Sequence, residues 1–261
     1  MFAQIDWARN WYDSVRPAFS MLDMGAASVS AALNPAAAQL DLHNAQGLPI
    51  RFVPQEILPE GQAYEEFIGA TGCVPTRDNL HDFFNGLVWL TFPHIKQQLN
   101  ALQAAQIALS GVGKSRGPAR DAATIFDENA ALLVVRGSAQ GLALVEALRG
   151  HQWREALYER RAQFGSDAEL WLFGHALMEK LVAPRKAITA HTRVVVAGDH
   201  YFQLGWEARR AWIPQESNDW SAKPGTAISS RSSSNTSASP TSRRCSTPTG
   251  WPTATWTPGS S

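Results

Sequence analysis

Two residue pairs at helical spacing carry most of the chemistry this chain could do. His81 and Asn85 stand four apart in the block Arg77–Lys96, RDNLHDFFNGLVWLTFPHIK. His175 and Glu179 stand four apart in FGHALMEKLVAPRKAITAH, Phe173–His191. Four residues is about one helical turn, so each pair shares one stripe of its helix. A histidine and a carboxylate on one stripe can meet a common metal ion or each other. Asp82, beside His81, and the Arg120-Asp121 dipeptide complete the candidate catalytic set. In one reading the set is a hydrolase-like site. There a metal polarises water or substrate, or a histidine acts as general acid or base. In the other the protein is a non-catalytic binding or structural domain, and the same groups form a satisfied hydrogen-bond network. Both readings start from the cost of burying polar groups among Phe83, Phe84, Leu87, Val88, Trp89 and Phe92 unless they are paired.

Other motifs are incomplete. His81-Asp82 is the dipeptide of the HD-type metal phosphohydrolases, but no spacing selects the further ligands; His43 and Asp121 are the available candidates. Gly111-Val112-Gly113-Lys114-Ser115 ends like a phosphate-binding loop. Ala108 stands where that pattern needs glycine, and a helical stretch precedes it, so a basic surface loop is expected and no nucleotide cofactor is assigned. Asp127-Glu128-Asn129 adds carboxylates, with no fixed spacing to the histidines, and reads as a turn. Cys73 and Cys245 are far apart; neither a disulfide framework nor a metal knuckle follows, and Cys73 reads as a small buried hydrophobe.

The elements that must position these residues are mainly helical. Asp78–Thr91 carries Leu80, Phe83, Phe84, Leu87, Val88 and Thr91 on one apolar face, with aromatics elsewhere, which predicts a helix buried on more than one side. Pro93 opens a second helix. Ala168–Leu181 reads as a third, with Leu170, Phe173, Leu177 and Leu181 on one face. Ala26–Leu40, Gly61–Ala70, Ala119–Phe126, Gln140–Leu148, His151–Arg161 and Trp206–Ile213 read as further helices, and Pro49–Val53, Ala131–Val135 and Thr192–Ala197 as short strands. The fold class is α+β, mainly helical.

The 261 residues are 44% hydrophobic, enough for a sizeable core. Lys+Arg and Asp+Glu are both 23, which removes the electrostatic case for a nucleic-acid or anionic-membrane partner. No apolar run reaches the length of a membrane span and no signal pattern opens the chain, so a soluble cytoplasmic protein is expected. The organisation reads as one folded domain over 1–216 and a disordered tail over 217–261, where Ser, Thr, Pro and Gly replace aliphatic residues. Trp251 and Trp256 in that tail fit an out-of-frame translation better than a natural linker.

Three blocks together resemble one family: HDFFNGLVWLTFPHIK within Arg77–Lys96, RGPARDAATIFDEN over Arg116–Asn129, and Phe173–His191. They resemble the bacterial domain-of-unknown-function family 3025, in that family's order. The resemblance implies no activity, cofactor or catalytic residue, and the chain departs from the family pattern after the third block. What it adds is spatial. If the apolar faces of the first and third blocks pack together, the His81 and His175 stripes come within reach, and Arg120 or Lys180 should contact a carboxylate.

Overall fold

The computed structural model describes residues 2–110, 117–216 and 253–255. Its organising element is a helix so apolar that it is covered on every side. Helices α1 (Arg16–Phe19) and α2 (Val29–Gln39) lead to strand β1 (Arg51–Pro54), helix α3 (Tyr64–Thr71) and strand β2 (Cys73–Thr76). That central helix, α4 (Leu80–Thr91), follows, then α5 (Pro93–Ser110) and α6 (Gly117–Asn129). Strand β3 (Ala130–Arg136), α7 (Ala139–Arg149), β4 (Ala168–Leu172), α8 (His175–Lys180), β5 (Thr189–Ala197), α9 (Asp199–Gln203) and α10 (Trp206–Glu216) complete the chain up to residue 216. Thr253–Thr255 form β6 beside β5; the rest of the segment after 216 lies outside the described residues, as do Gly111–Ser115 and Cys245. The protein is α+β and mainly helical. Among the described residues no helix is long and apolar enough to cross a membrane.

Every residue of α4 from Asp82 to Thr91 is buried, as aromatics on more than one face require. Asn79 caps its start, accepting the Asp82 amide at 2.8 Å. Asp78 accepts the Val29 amide at 2.7 Å and so ties the start of α2 to that of α4. Gly86 lets α2 lie close, because a Cβ there would sit 2.2 Å from a Leu33 methyl. The other faces of α4 meet α1, α5 and α8.

β1 and β2 pair in parallel. The larger sheet runs β4-β3-β5-β6, with β3 antiparallel to β4 and parallel to β5. Ala130–Val135 is buried throughout, which fits a strand covered on both faces. One core cluster draws residues from Ile5 to Ile213, and a smaller one lies where β3 and β4 meet α7.

Three local expectations change. Ala168–Leu181 is a strand followed by a short helix: Ala168–Leu172 pairs with Ala131–Val135, so the helical spacing of Leu170 and Phe173 is incidental. Asp127-Glu128-Asn129 is the last turn of α6 rather than a free turn. Over His151–Arg161 the backbone forms a π-helical turn at Glu155–Glu159 and no regular α-helix.

Candidate functional site

The histidines come together where α4, α6 and α8 meet. Phe173 and Gly174 donate their amides to the Ala130 carbonyl at 3.1 and 2.8 Å, which seats the start of α8 on the end of α6. Gly174 permits this approach, since a Cβ there would lie 2.5–2.6 Å from the backbone of Glu128, Asn129 and Ala130. His175, the next residue, therefore faces Asp127 and Glu128. The ring centroids of His81 and His175 are 4.5 Å apart at 77°.

The two Nε2 atoms face each other at 3.1 Å, and Glu128 Oε2 is 3.7 Å from His175 Nε2. Donor atoms of His81, Glu128 and His175 all lie within 4.8 Å of one another. Two nitrogens on a tetrahedral zinc ion, each at about 2.05 Å, are about 3.3 Å apart, so this spacing is that of a ligand pair. The outer nitrogens point to carboxylates. His81 Nδ1 is 3.0 Å from Glu179 Oε2, and His175 Nδ1, buried without a hydrogen bond, is 3.8 Å from Asp127 Oδ2. A carboxylate behind a histidine places the proton on Nδ1 and frees Nε2 as a ligand. With the proton on Nδ1 of each ring the two Nε2 lone pairs face each other, and that arrangement asks for a shared proton or a cation.

Behind the histidines runs a buried polar chain. Lys96 Nζ donates to both Asp127 oxygens at 2.7 and 2.8 Å and to Asn85 Oδ1 at 2.8 Å. Asn85 Nδ2 donates to the Tyr64 hydroxyl at 3.1 Å. Burial works to raise the Asp127 pKa, but Lys96 and His175 outweigh it and hold the carboxyl below its usual range. Burial pushes His175 down to about 4, so the ring is neutral at pH 7. Burial also raises the Glu128 carboxyl, against the pull of His81. The cluster is open on one side: the His81 and Glu128 side chains keep 33% and 34% exposure, against 5% for His175.

Of the residues singled out in the sequence, His81, His175 and Glu179 meet directly, and Asn85 joins them through Lys96 and Asp127. Asp82 points elsewhere. It takes the Arg77 amide at 2.6 Å and the Arg77 guanidinium in two bonds at 3.0 Å. With its carboxylate held by Arg77, Asp82 does not join His81 in the cluster. His43 bonds the Asp41 carbonyl, outside the cluster. Asp121 is exposed, and Arg120 lies eight residues, about 12 Å of helix, before Glu128. Arg120 Nε is buried without a hydrogen-bond partner, and Lys180 bonds the Asn129 amide oxygen at 2.7 Å rather than a carboxylate. Cys73, expected to be buried, is only half-buried. Asp127 and Glu128 are the residues sequence reasoning passed over, although both stand in the second resembling block.

A family profile described as "Protein of unknown function (DUF3025)" matches residues 50–231. No curated protein and no solved structure matches the chain.

Proposed function

The chain belongs to the DUF3025 family, and from the geometry of its histidine cluster we propose that it is a metal-dependent enzyme of hydrolytic type. The observation that carries this reading is the convergence of His81 Nε2, His175 Nε2 and Glu128 Oε2, with a carboxylate near the outer nitrogen of each ring. Two imidazoles and one carboxylate form a three-ligand set that leaves a further position for water or substrate. A divalent metal there supplies a Lewis acid that acidifies water. The chain's own residues do the rest. Glu179 holds the Nδ1 proton of His81 and fixes the ring's orientation. Lys96 fixes Asp127 opposite His175 and offsets part of the negative charge of Asp127, Glu128 and Glu179. The open side at His81 and Glu128 admits substrate.

The test is elemental analysis of the purified chain, followed by zinc titration of chelated protein. Stoichiometric zinc, lost in both His81→Ala and His175→Ala while each still folds, supports the reading. Iron in its place redirects it to oxygen chemistry, for which two histidines and one carboxylate are equally suited. A second reading rests on the same 3.1 Å contact, in which one shared proton links the two Nε2 atoms in a packing network. Absence of any bound metal, with both alanine variants unfolded, favours that network.

A further inference from the structure

We infer that the pocket beside the histidine cluster binds an oxyanion, a phosphate or carboxylate group; its service as the substrate subsite rests on the metal reading above. The pocket forms where α6 passes into β3. Asn129 ends the helix, Ala130 begins the strand, and His191 of β5 is Ala130's cross-strand neighbour. Lys180, at the end of α8, and Arg185, in the following loop, close it around a volume of ≈ 360 Å³. The lining holds three basic side chains and no acidic one.

Among the described residues none of the three forms an ion pair. Lys180 Nζ donates to the Asn129 amide oxygen, a neutral acceptor, at 2.7 Å. Arg185 makes no ion pair among the described residues. His191 Nδ1 is buried with no hydrogen-bond partner. Lys180 and Arg185, two cations in one concavity, concentrate anions, and a guanidinium fork matches the paired oxygens of a carboxylate or phosphate. The Thr189 hydroxyl, in the same lining, is a further donor.

The pocket lies next to the cluster because Lys180, at the end of α8, bonds Asn129, the residue that follows Glu128 at the end of α6. The Lys180 charge also reaches Glu128, where it opposes the upward shift that burial imposes on that carboxyl. An anion held by Lys180 and Arg185 therefore lies beside one of the three proposed ligands. The substrate class that follows is an ester or amide bearing a phosphate or carboxylate near the bond cleaved.

The experiment titrates inorganic phosphate, and separately acetate, into the full chain by calorimetry, with zinc present and after chelation. Arg185→Ala and Lys180→Met are run alongside, and their zinc content is measured. Expected is phosphate or acetate binding that survives chelation and weakens about tenfold in each variant, the order of one charge-assisted hydrogen bond, at unchanged zinc content. Whichever anion binds more tightly names the group. Binding that vanishes on chelation and ignores Arg185→Ala means the anion sits on the metal and overturns the pocket while leaving the metal site standing. Zinc uptake with no binding of either anion overturns it as well. Anion binding sensitive to both variants in a chain that takes up no metal supports the pocket and removes the metal reading alone.

Discussion

Among the described residues Glu179 bonds the cluster through His81 alone, so its substitution separates ligand tuning from packing. Its side chain is half-exposed, and Glu179→Gln keeps an oxygen for the His81 Nδ1 proton while removing the charge. We expect zinc affinity to fall about 10-fold with the melting temperature nearly unchanged, as read by competition with a chromophoric chelator. Lys96 behaves in the opposite way. It is buried, and its partner Asp127 has no other cation in hydrogen-bond contact among the described residues. Lys96→Met strands a buried carboxylate and should cost about 3–5 kcal/mol in urea unfolding. The double variant Lys96→Met/Asp127→Leu should recover much of that loss. His81 and His175 are legible as site residues in the sequence because each shares a helical stripe with a polar neighbour four residues away. Glu128 is not, because its contact with His175 spans two elements and no local spacing encodes it.

Gly174 marks the point where the element scale decides the site. Its absent side chain lets α8 rest on the last turn of α6, and the two helices then present His175 to Glu128. The obstructing atoms are backbone, which cannot rotate aside. Gly174→Ala should cost about 1–3 kcal/mol and weaken zinc binding with it. Gly198→Ala, where a Cβ meets nothing within 4 Å, is the control and should change neither. The same element shows why part of the fold is hidden in the sequence. Ala168–Leu181 has a convincing helical face, yet its first five residues pair with β3. Short apolar runs such as AELWL suit either structure, and the partner strand decides. α4 is legible because its cap residue, its spacing and its all-round apolarity agree.

The whole molecule depends on an N-terminal segment that precedes the family match at residue 50. Phe2 lies 4.3 Å from Phe83 and Tyr12 stacks at 5.6 Å on Phe84, ring centre to ring centre, so this segment covers one side of the helix that carries His81. Ser14 Oγ donates to the Leu172 carbonyl and Tyr12 OH to the Met178 carbonyl, both at 3.1 Å, which ties the segment to β4 and α8. Uncovering Phe83 and Phe84 forfeits about 1.5–3 kcal/mol each, and Ile5, Tyr12, Val15 and Leu33 leave the core with the segment. A chain starting at residue 50 should therefore show no cooperative thermal transition and should bind a hydrophobic dye.

Tyr12 gives this clasp a pH signature. Burial, the main cause, pushes its hydroxyl up to about 12. The unfolded chain releases that proton near pH 10, so above pH 10 the unfolded state is favoured by ionisation that the folded state resists. The Tyr12 contribution is thus complete below about pH 10 and is lost as the pH rises toward 12. Tyr12→Phe should cost about 1 kcal/mol at pH 8 through the missing bond to Met178. That deficit should shrink or reverse at pH 11, because phenylalanine has nothing to ionise. Tyr64 and Tyr201, both raised by burial, titrate in either chain, so the quantity to read is the difference between the two urea midpoints at each pH. A deficit that is the same at pH 8 and pH 11 would show that the Tyr12 hydroxyl is solvated and the clasp over α8 is open.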